Sequence, residues 1–279
     1  MPAWAAAINS LADQSGLAGV VSVDRGGEIE FGQAYGLAHR GFQIPNTFDT
    51  RFAIASGTKG LTALTVVSLI SDGALRLSTA ARSVLGDDLP LIGAEVTVGH
   101  LLAHRSGIGD YLDEEAGHEL SEYVLTVPAQ DLATTGQHLA VLGGHPAKFS
   151  AGEGFSYCNS GYVVLALIAE RVSGDGGIYS TAADISALWQ SLFASKIVPA
   201  QWAGEMVRPR SNVPAESMRY GLGFWLGEHD STVILEGLDA GVSFRSVHDP
   251  GSAVTRTVIS SSSDGAWPLT QLLGELFAS

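Results

Sequence analysis

The sequence predicts an α+β protein: an antiparallel sheet formed from both termini and flanked by helices, with a mainly helical lobe inserted between. Three observations carry this. β-Branched and alternating runs cluster near the N-terminus and again beyond residue 220. Helical apolar periodicity dominates the middle. The end segments, 4–14 and 267–278, read as helices themselves. Strands followed by helices and then strands again give a segregated sheet rather than alternating βαβ units.

Taken in order, GVVSVDRGGEIEFGQAYG (19–36) reads as a hairpin, with a turn at Arg25-Gly26-Gly27 and alternation through Ile29 and Phe31. A helix runs from Gly57 to about Ser71 and stops at Asp72-Gly73. VTVGHLLAHRSGI (96–108) is a short helix stopped by Ser106-Gly107, and residues 109–150 are a Gly-rich mixture of helix and loop. Helices follow at 160–174 and 180–194; the second opens on Thr181 with Asp184 three residues later, a variant of the capping box. Strand-like runs occupy 220–227, 231–237, 242–249 and 253–262. The expected organisation is one domain of two lobes, the sheet lobe from 1–55 and 175–279 and the helical lobe from 56–174.

At 279 residues, 46% hydrophobic and 16% charged, the chain can bury a sizeable core. A net charge of -14 opposes binding to nucleic acid or an anionic membrane surface. The lone Cys158 allows no internal disulfide. The opening MPAWAAAINSLADQSG lacks a basic n-region and reads as an amphipathic helix, not a signal peptide. The expectation is a cytoplasmic protein, with a processed exported form left open. No apolar stretch reaches the roughly 18 residues of a membrane span.

The chain's only lysines are Lys59, Lys148 and Lys196, and only Lys59 has a serine three positions before it. Residues three apart share a helix face, so the Lys59 amine would lie beside the Ser56 hydroxyl. Free N–H groups at the helix start would stabilise an oxyanion. Desolvation would lower the lysine pKa and let it accept a proton. Serine as nucleophile with lysine as base suits acyl transfer. The plain alternative is a capping serine and a lysine reaching for water. A second pair, Tyr157 and Asn159, stands just before an apolar helix. Tyr157 could shuttle a proton between Ser56 and a leaving group, and Asn159 could hold Lys59 and a substrate carbonyl. Taken alone, the pair is more often core packing and a helix cap.

Together these segments resemble the serine beta-lactamase and penicillin-binding-protein-like hydrolases, in the class C branch that includes DD-peptidases and esterases. FAIASGTKGLTALTVVSLISDGALRL is similar to the branch's nucleophile helix, VTVGHLLAHRSGI to its hLLxHxSG segment, FSYCNSGYVVLALIAERVSG to its Y-x-N segment, and GGIYSTAADISALW to its Gly-Gly and Ser-Thr segment. The resemblance implies an acyl-enzyme on Ser56, with Lys59 and Tyr157 as general base and acid, Asn159 in support, no cofactor and no metal. The implied substrate is a small ester, amide or beta-lactam. Alternatives are beta-lactamase or D-Ala peptidase activity, or a binding or sensing protein without turnover.

Two departures from the family pattern matter. Its third motif, Lys-Thr-Gly or His-x-Gly, corresponds here to ILEGLDAGVSFRS (234–246), which places Glu236 or a neighbour where Lys or His would stand. A backbone N–H at Leu238 or Asp239, with Asp239 the chosen candidate, would pair with that of Ser56 as an oxyanion hole. The connection between the Y-x-N helix and the following segment, near 173–177, is also short, through either a deletion or an absent segment. His100 and His104 lie four apart on a helix but lack the glutamate of H-E-x-x-H and a third ligand.

Overall fold

The β-branched runs at both ends become strands and the apolar-periodic middle becomes helices in the computed structural model, which describes residues 4–116, 124–173 and 180–277. In chain order the elements are α1 (Ala5–Ser15), β1 (Gly19–Arg25), β2 (Glu28–Tyr35), β3 (Leu37–His39), β4 (Ile44–Pro45), a 3-10 turn at Ala55–Gly57, α2 (Thr58–Ser71), α3 (Ala81–Leu85), α4 (Val98–Leu102), α5 (Leu139–Leu142) and α6 (Asn159–Ser173). There follow α7 (Ala182–Phe193), α8 (Ala200–Met206), β5 (Ser211–Val213), β6 (Met218–Tyr220), β7 (Trp225–Gly227), β8 (Val233–Asp239), β9 (Val242–Asp249), β10 (Val254–Ser260) and α9 (Trp267–Leu276). Among the described residues, no helix is long and apolar enough to cross a membrane.

The chain divides into two compact units, the first formed by Met1–Thr58, Ile178–Ala200 and Phe224–Ser279. Its strands lie in the order β2-β1-β10-β9-β8-β7. Every adjacent pair is antiparallel, and Gly19 stands opposite Ser260 where the two ends of the chain meet. One face of β1 and β10 packs Val21, Val23, Val254 and Val258 against Ile8 and Ala12 of α1 and Leu269 and Leu273 of α9. Burying each such side chain contributes about 1.5–3 kcal/mol. Trp189 of α7 is also fully buried in this unit. Its indole N–H donates to Ser246 Oγ at 2.9 Å, which satisfies the polar tip that burial would otherwise strand. Thr181 and Asp184 form the expected reciprocal cap of α7.

The second unit comprises Lys59–Gly177 and Gln201–Gly223. Its core gathers Val66, Val67, Leu101, Leu102, Leu165 and Ile168, all buried. Residues 201–223 belong to this unit. The strand expected over 220–227 is two strands, β6 and β7, interrupted at 221–224. Gly221 lies too close to the Met206 carbonyl for a side chain, and Leu222 N–H donates to that carbonyl at 2.9 Å instead of to a sheet partner. Helices α3 and α8 and the β5–β6 pair had no clear periodicity because each is so short. The connection questioned near 173–177 lies outside the described residues beyond Ser173.

Candidate active site

Ser56 occupies the middle of the 3-10 turn that continues directly into α2. Ala55, just before it, has φ 42°. A non-glycine residue in the left-handed region stores strain, and strain of this kind clusters at functional sites. The turn packs against β8 and β9. Gly57 and Gly237 permit this approach: a Cβ on Gly57 would meet the Phe244 ring at 2.6 Å, and one on Gly237 would meet Ile54 O at 2.1 Å and Ser56 N at 2.8 Å. Gly237 and Phe244 stand opposite each other on β8 and β9. The sheet therefore presents the bare face of Gly237 to the amide of Ser56.

Strand alternation decides which side chains share that face. Leu235 lies on the same face as Gly237, and Glu236 lies on the other. Glu236 stands directly opposite Arg245 and forms an ion pair with it. Of Glu236 and its neighbour, it is Leu235, buried and apolar, that shares the face of Gly237. The ion pair removes Arg245 as an unpaired cation. Asp239, the chosen oxyanion candidate, lies at the exposed end of β8, where its carboxylate accepts from Ala240 N–H and its carbonyl from Ser263 Oγ.

The other predicted residues meet in the second unit. Lys59 is half-buried in the first turn of α2. Its ammonium donates to Asn159 Oδ1 at 2.8 Å and lies 4.8 Å from the centre of the Tyr157 ring. So Asn159 does hold Lys59. Its Nδ2, however, donates to Leu112 O at 2.9 Å and Glu114 Oε1 at 3.0 Å, which leaves no amide hydrogen for the substrate carbonyl also expected of it.

The Tyr157 ring packs against His104 at a tilt of 35°, with ring centroids 4.4 Å apart. His104 Nδ1 accepts the Cys158 N–H at 3.0 Å, which places the imidazole proton on Nε2. Complete burial, with the Lys59 charge adding to it, holds the His104 pKa well below its usual 6.5. The ring therefore stays neutral beside the lysine. Burial pushes the Cys158 thiol and the Tyr162 and Tyr220 phenols up, so all three remain protonated at neutral pH. His100 accepts the Thr97 N–H within the capping box of α4. Both histidines thus serve backbone donors rather than each other.

Several supporting residues escaped the sequence. Asp110, Leu112 and Glu114 bind the start of α6. Lys148 bridges Asp113, Glu115 and Ser156 at 2.7, 3.1 and 3.0 Å. Burial opposes the Lys148 charge, but the hydrogen bonds to Asp113 and Glu115 prevail and raise its pKa. No local spacing in the sequence couples Lys148 to Asp113 and Glu115, which lie more than thirty positions away.

A family model described as Beta-lactamase matches residues 4–176. The chain is 35% identical over 161 residues to esterase EstB of Burkholderia gladioli, an alignment covering 56% of this chain and 41% of that protein. It is 35% identical over 148 residues to penicillin-binding protein 4 of Amycolatopsis lactamdurans, covering 50% and 35%. The chain thus spans well under half the length of these curated relatives. The crystal structure of a penicillin binding protein from Bacillus halodurans superposes with a TM-score of 0.89 at 27% identity, covering 97% of this chain and 100% of that one. That likeness bears out the α+β fold read from the sequence.

Proposed function

The chain belongs to the beta-lactamase family, and on that premise we propose that it is a serine hydrolase that cleaves small neutral esters or amides through an acyl-enzyme on Ser56. One observation carries the reading: Lys59, three positions after Ser56 on one continuous helical run, has its amine tied to Asn159 and set beside Tyr157. In this reading the lysine amine and the neighbouring phenol pass the proton between them and tune each other's charge.

In the proposed reaction, neutral Lys59 accepts the Ser56 hydroxyl proton as Oγ bonds to the substrate carbonyl carbon. The carbonyl electron pair moves to oxygen. The oxyanion is bound by the N–H of Ser56 and that of Leu238 or Asp239, the two amides that follow Gly237. Collapse of the intermediate breaks the bond to the leaving group, which takes a proton through Tyr157. Water then repeats the sequence on the acyl-serine and regenerates the enzyme.

Neutral substrates are favoured by β8. Leu235 shares the face of Gly237, and Arg245 is already neutralised by Glu236. A substrate carboxylate would lose its water there without gaining a free cation.

The test is p-nitrophenyl acetate followed by intact-mass measurement. Steady release, with an acetyl adduct in wild type that disappears in Ser56→Ala, is expected. A single burst with a persistent adduct would identify an acyl acceptor that does not turn over. Unchanged turnover in Ser56→Ala would remove Ser56 as the nucleophile.

A further inference from the structure

The stretch Ser156–Ser160, which carries Tyr157 and Asn159, is gripped from the side by the segment between α4 and the loop that follows it. Ser156 N–H donates to His104 O at 3.0 Å and Cys158 N–H to His104 Nδ1 at 3.0 Å. Asn159 N–H and Ser160 N–H donate to the two carboxylate oxygens of Asp110, at 2.6 and 2.8 Å. Asp110 is 7% exposed. The orphan N–H groups of a helix start are usually satisfied by the residue just before the helix. Here the acceptor comes from 49 residues upstream. It brings a full negative charge to the positive end of a 15-residue helix.

The loop that begins at Asp110 also fixes the direction of the Asn159 amide. Leu112 O and Glu114 Oε1 take both hydrogens of Nδ2. Tyr111 N–H, donating to Ser160 Oγ at 3.0 Å, ties the same loop to the first turn of α6. Only Oδ1 is left to face Lys59. Turned over, the amide would set its NH2 against the lysine ammonium. A hydrogen bond from ammonium to an amide oxygen favours the charged lysine, so the geometry of this loop bears on the proton affinity of Lys59.

We propose that Asp110 is a positioning residue: by holding the start of α6, it aims Asn159 at Lys59 and sets the pH at which Lys59 becomes a base. The proposal rests on the reading of Lys59 as the base for Ser56. Nothing in it requires Asp110 to touch substrate.

The experiment measures kcat and KM for p-nitrophenyl acetate from about pH 5 to 9, for wild type, Asp110→Asn, Ser160→Ala and Ser56→Ala. Asparagine keeps one acceptor and turns an NH2 toward a backbone N–H. Expected for Asp110→Asn is a fall in kcat of about 10- to 100-fold, the scale of a small misplacement of a catalytic group, with KM within about threefold. The acid limb of kcat/KM should move down by roughly half a pH unit or more, because Lys59 loses a partner that favours its charge. Ser160→Ala removes the acceptor of Tyr111 N–H and leaves the bonds of Asp110 in place. It should act in the same direction with a smaller loss, about 3- to 10-fold, and it serves if Asp110→Asn does not fold. A loss of kcat with an unmoved acid limb would reduce Asp110 to a structural support and overturn the proposal, as would wild-type kcat in folded Asp110→Asn. If Ser56→Ala retains turnover, the underlying hydrolase reading fails instead, whatever the Asp110 variant does.

Discussion

Gly237 is the position where the smallest substitution should have the largest consequence. An added methyl would lie 2.1 Å from Ile54 O, 2.8 Å from Ser56 N and 2.9 Å from Gly57 N. All three are backbone atoms, so no side chain can swing aside. Reaching the 3.4 Å of an ordinary contact requires the Ile54 carbonyl and β8 to separate by about 1.3 Å. The turn that would give is Ala55–Gly57, which carries Ser56 and already holds Ala55 in a strained conformation. Overpacking of this kind costs about 1–3 kcal/mol of stability, and about 1 Å of misplacement costs about 10²-fold in rate. Gly237→Ala should therefore lose about 100-fold or more in kcat on p-nitrophenyl acetate, with Tm lowered by a few degrees. Gly274→Ala is the matched control. Gly274 lies inside α9 with nothing within 4 Å of the added carbon, and alanine there should stabilise by about 0.5–1 kcal/mol and leave kcat unchanged. Wild-type kcat and Tm in Gly237→Ala would show that β8 and the Ser56 turn are not in the tight contact on which the oxyanion assignment depends.

Other outcomes can be checked with the same protein. Lys59→Ala should cost nearly as much turnover as Ser56→Ala, because nucleophile and base act as a unit, whereas Tyr157→Phe should keep its Tm and slow hydrolysis by roughly 10²-fold; a fully active Tyr157→Phe would exclude the phenol from the relay. Neutral short-chain esters should show a higher kcat/KM than penicillins or D-Ala peptides, and the opposite order would mean that a cation other than the paired Arg245 serves the substrate carboxylate. Stability should fall on acidification from about pH 6.5 toward 4. Burial holds His248 at about 4 and His104 well below 6.5, so over that interval the unfolded chain takes up protons that the folded protein refuses. Asp24 works the other way, since burial raises its pKa above 3.8. Urea titrations of wild type and His248→Gln at pH 7 and 5 should show a shallower acid loss in the variant, and identical losses would remove His248 as a contributor.

Local pattern determined much of this protein. The β19–36 hairpin, the terminal helices, α2, α6 and the capped start of α7 were all legible, because helical and strand periods and caps are set by neighbours within four residues. Ser56 with Lys59 and Tyr157 with Asn159 could be named as candidates for the same reason, each pair being short-range. The tertiary structure alone decided the rest. The register of β8 against β9 set Gly237 opposite Phe244 and Glu236 opposite Arg245, its ion-pair partner. The fold brought Asp110 to the start of α6 and His104 against Tyr157. A one-residue change of register exchanges the faces of a strand, and contacts across some fifty residues leave no periodic trace. The sequence thus determined which groups could act, while the long-range contacts decided what holds Lys59, which way the Asn159 amide points, and what faces the Ser56 turn.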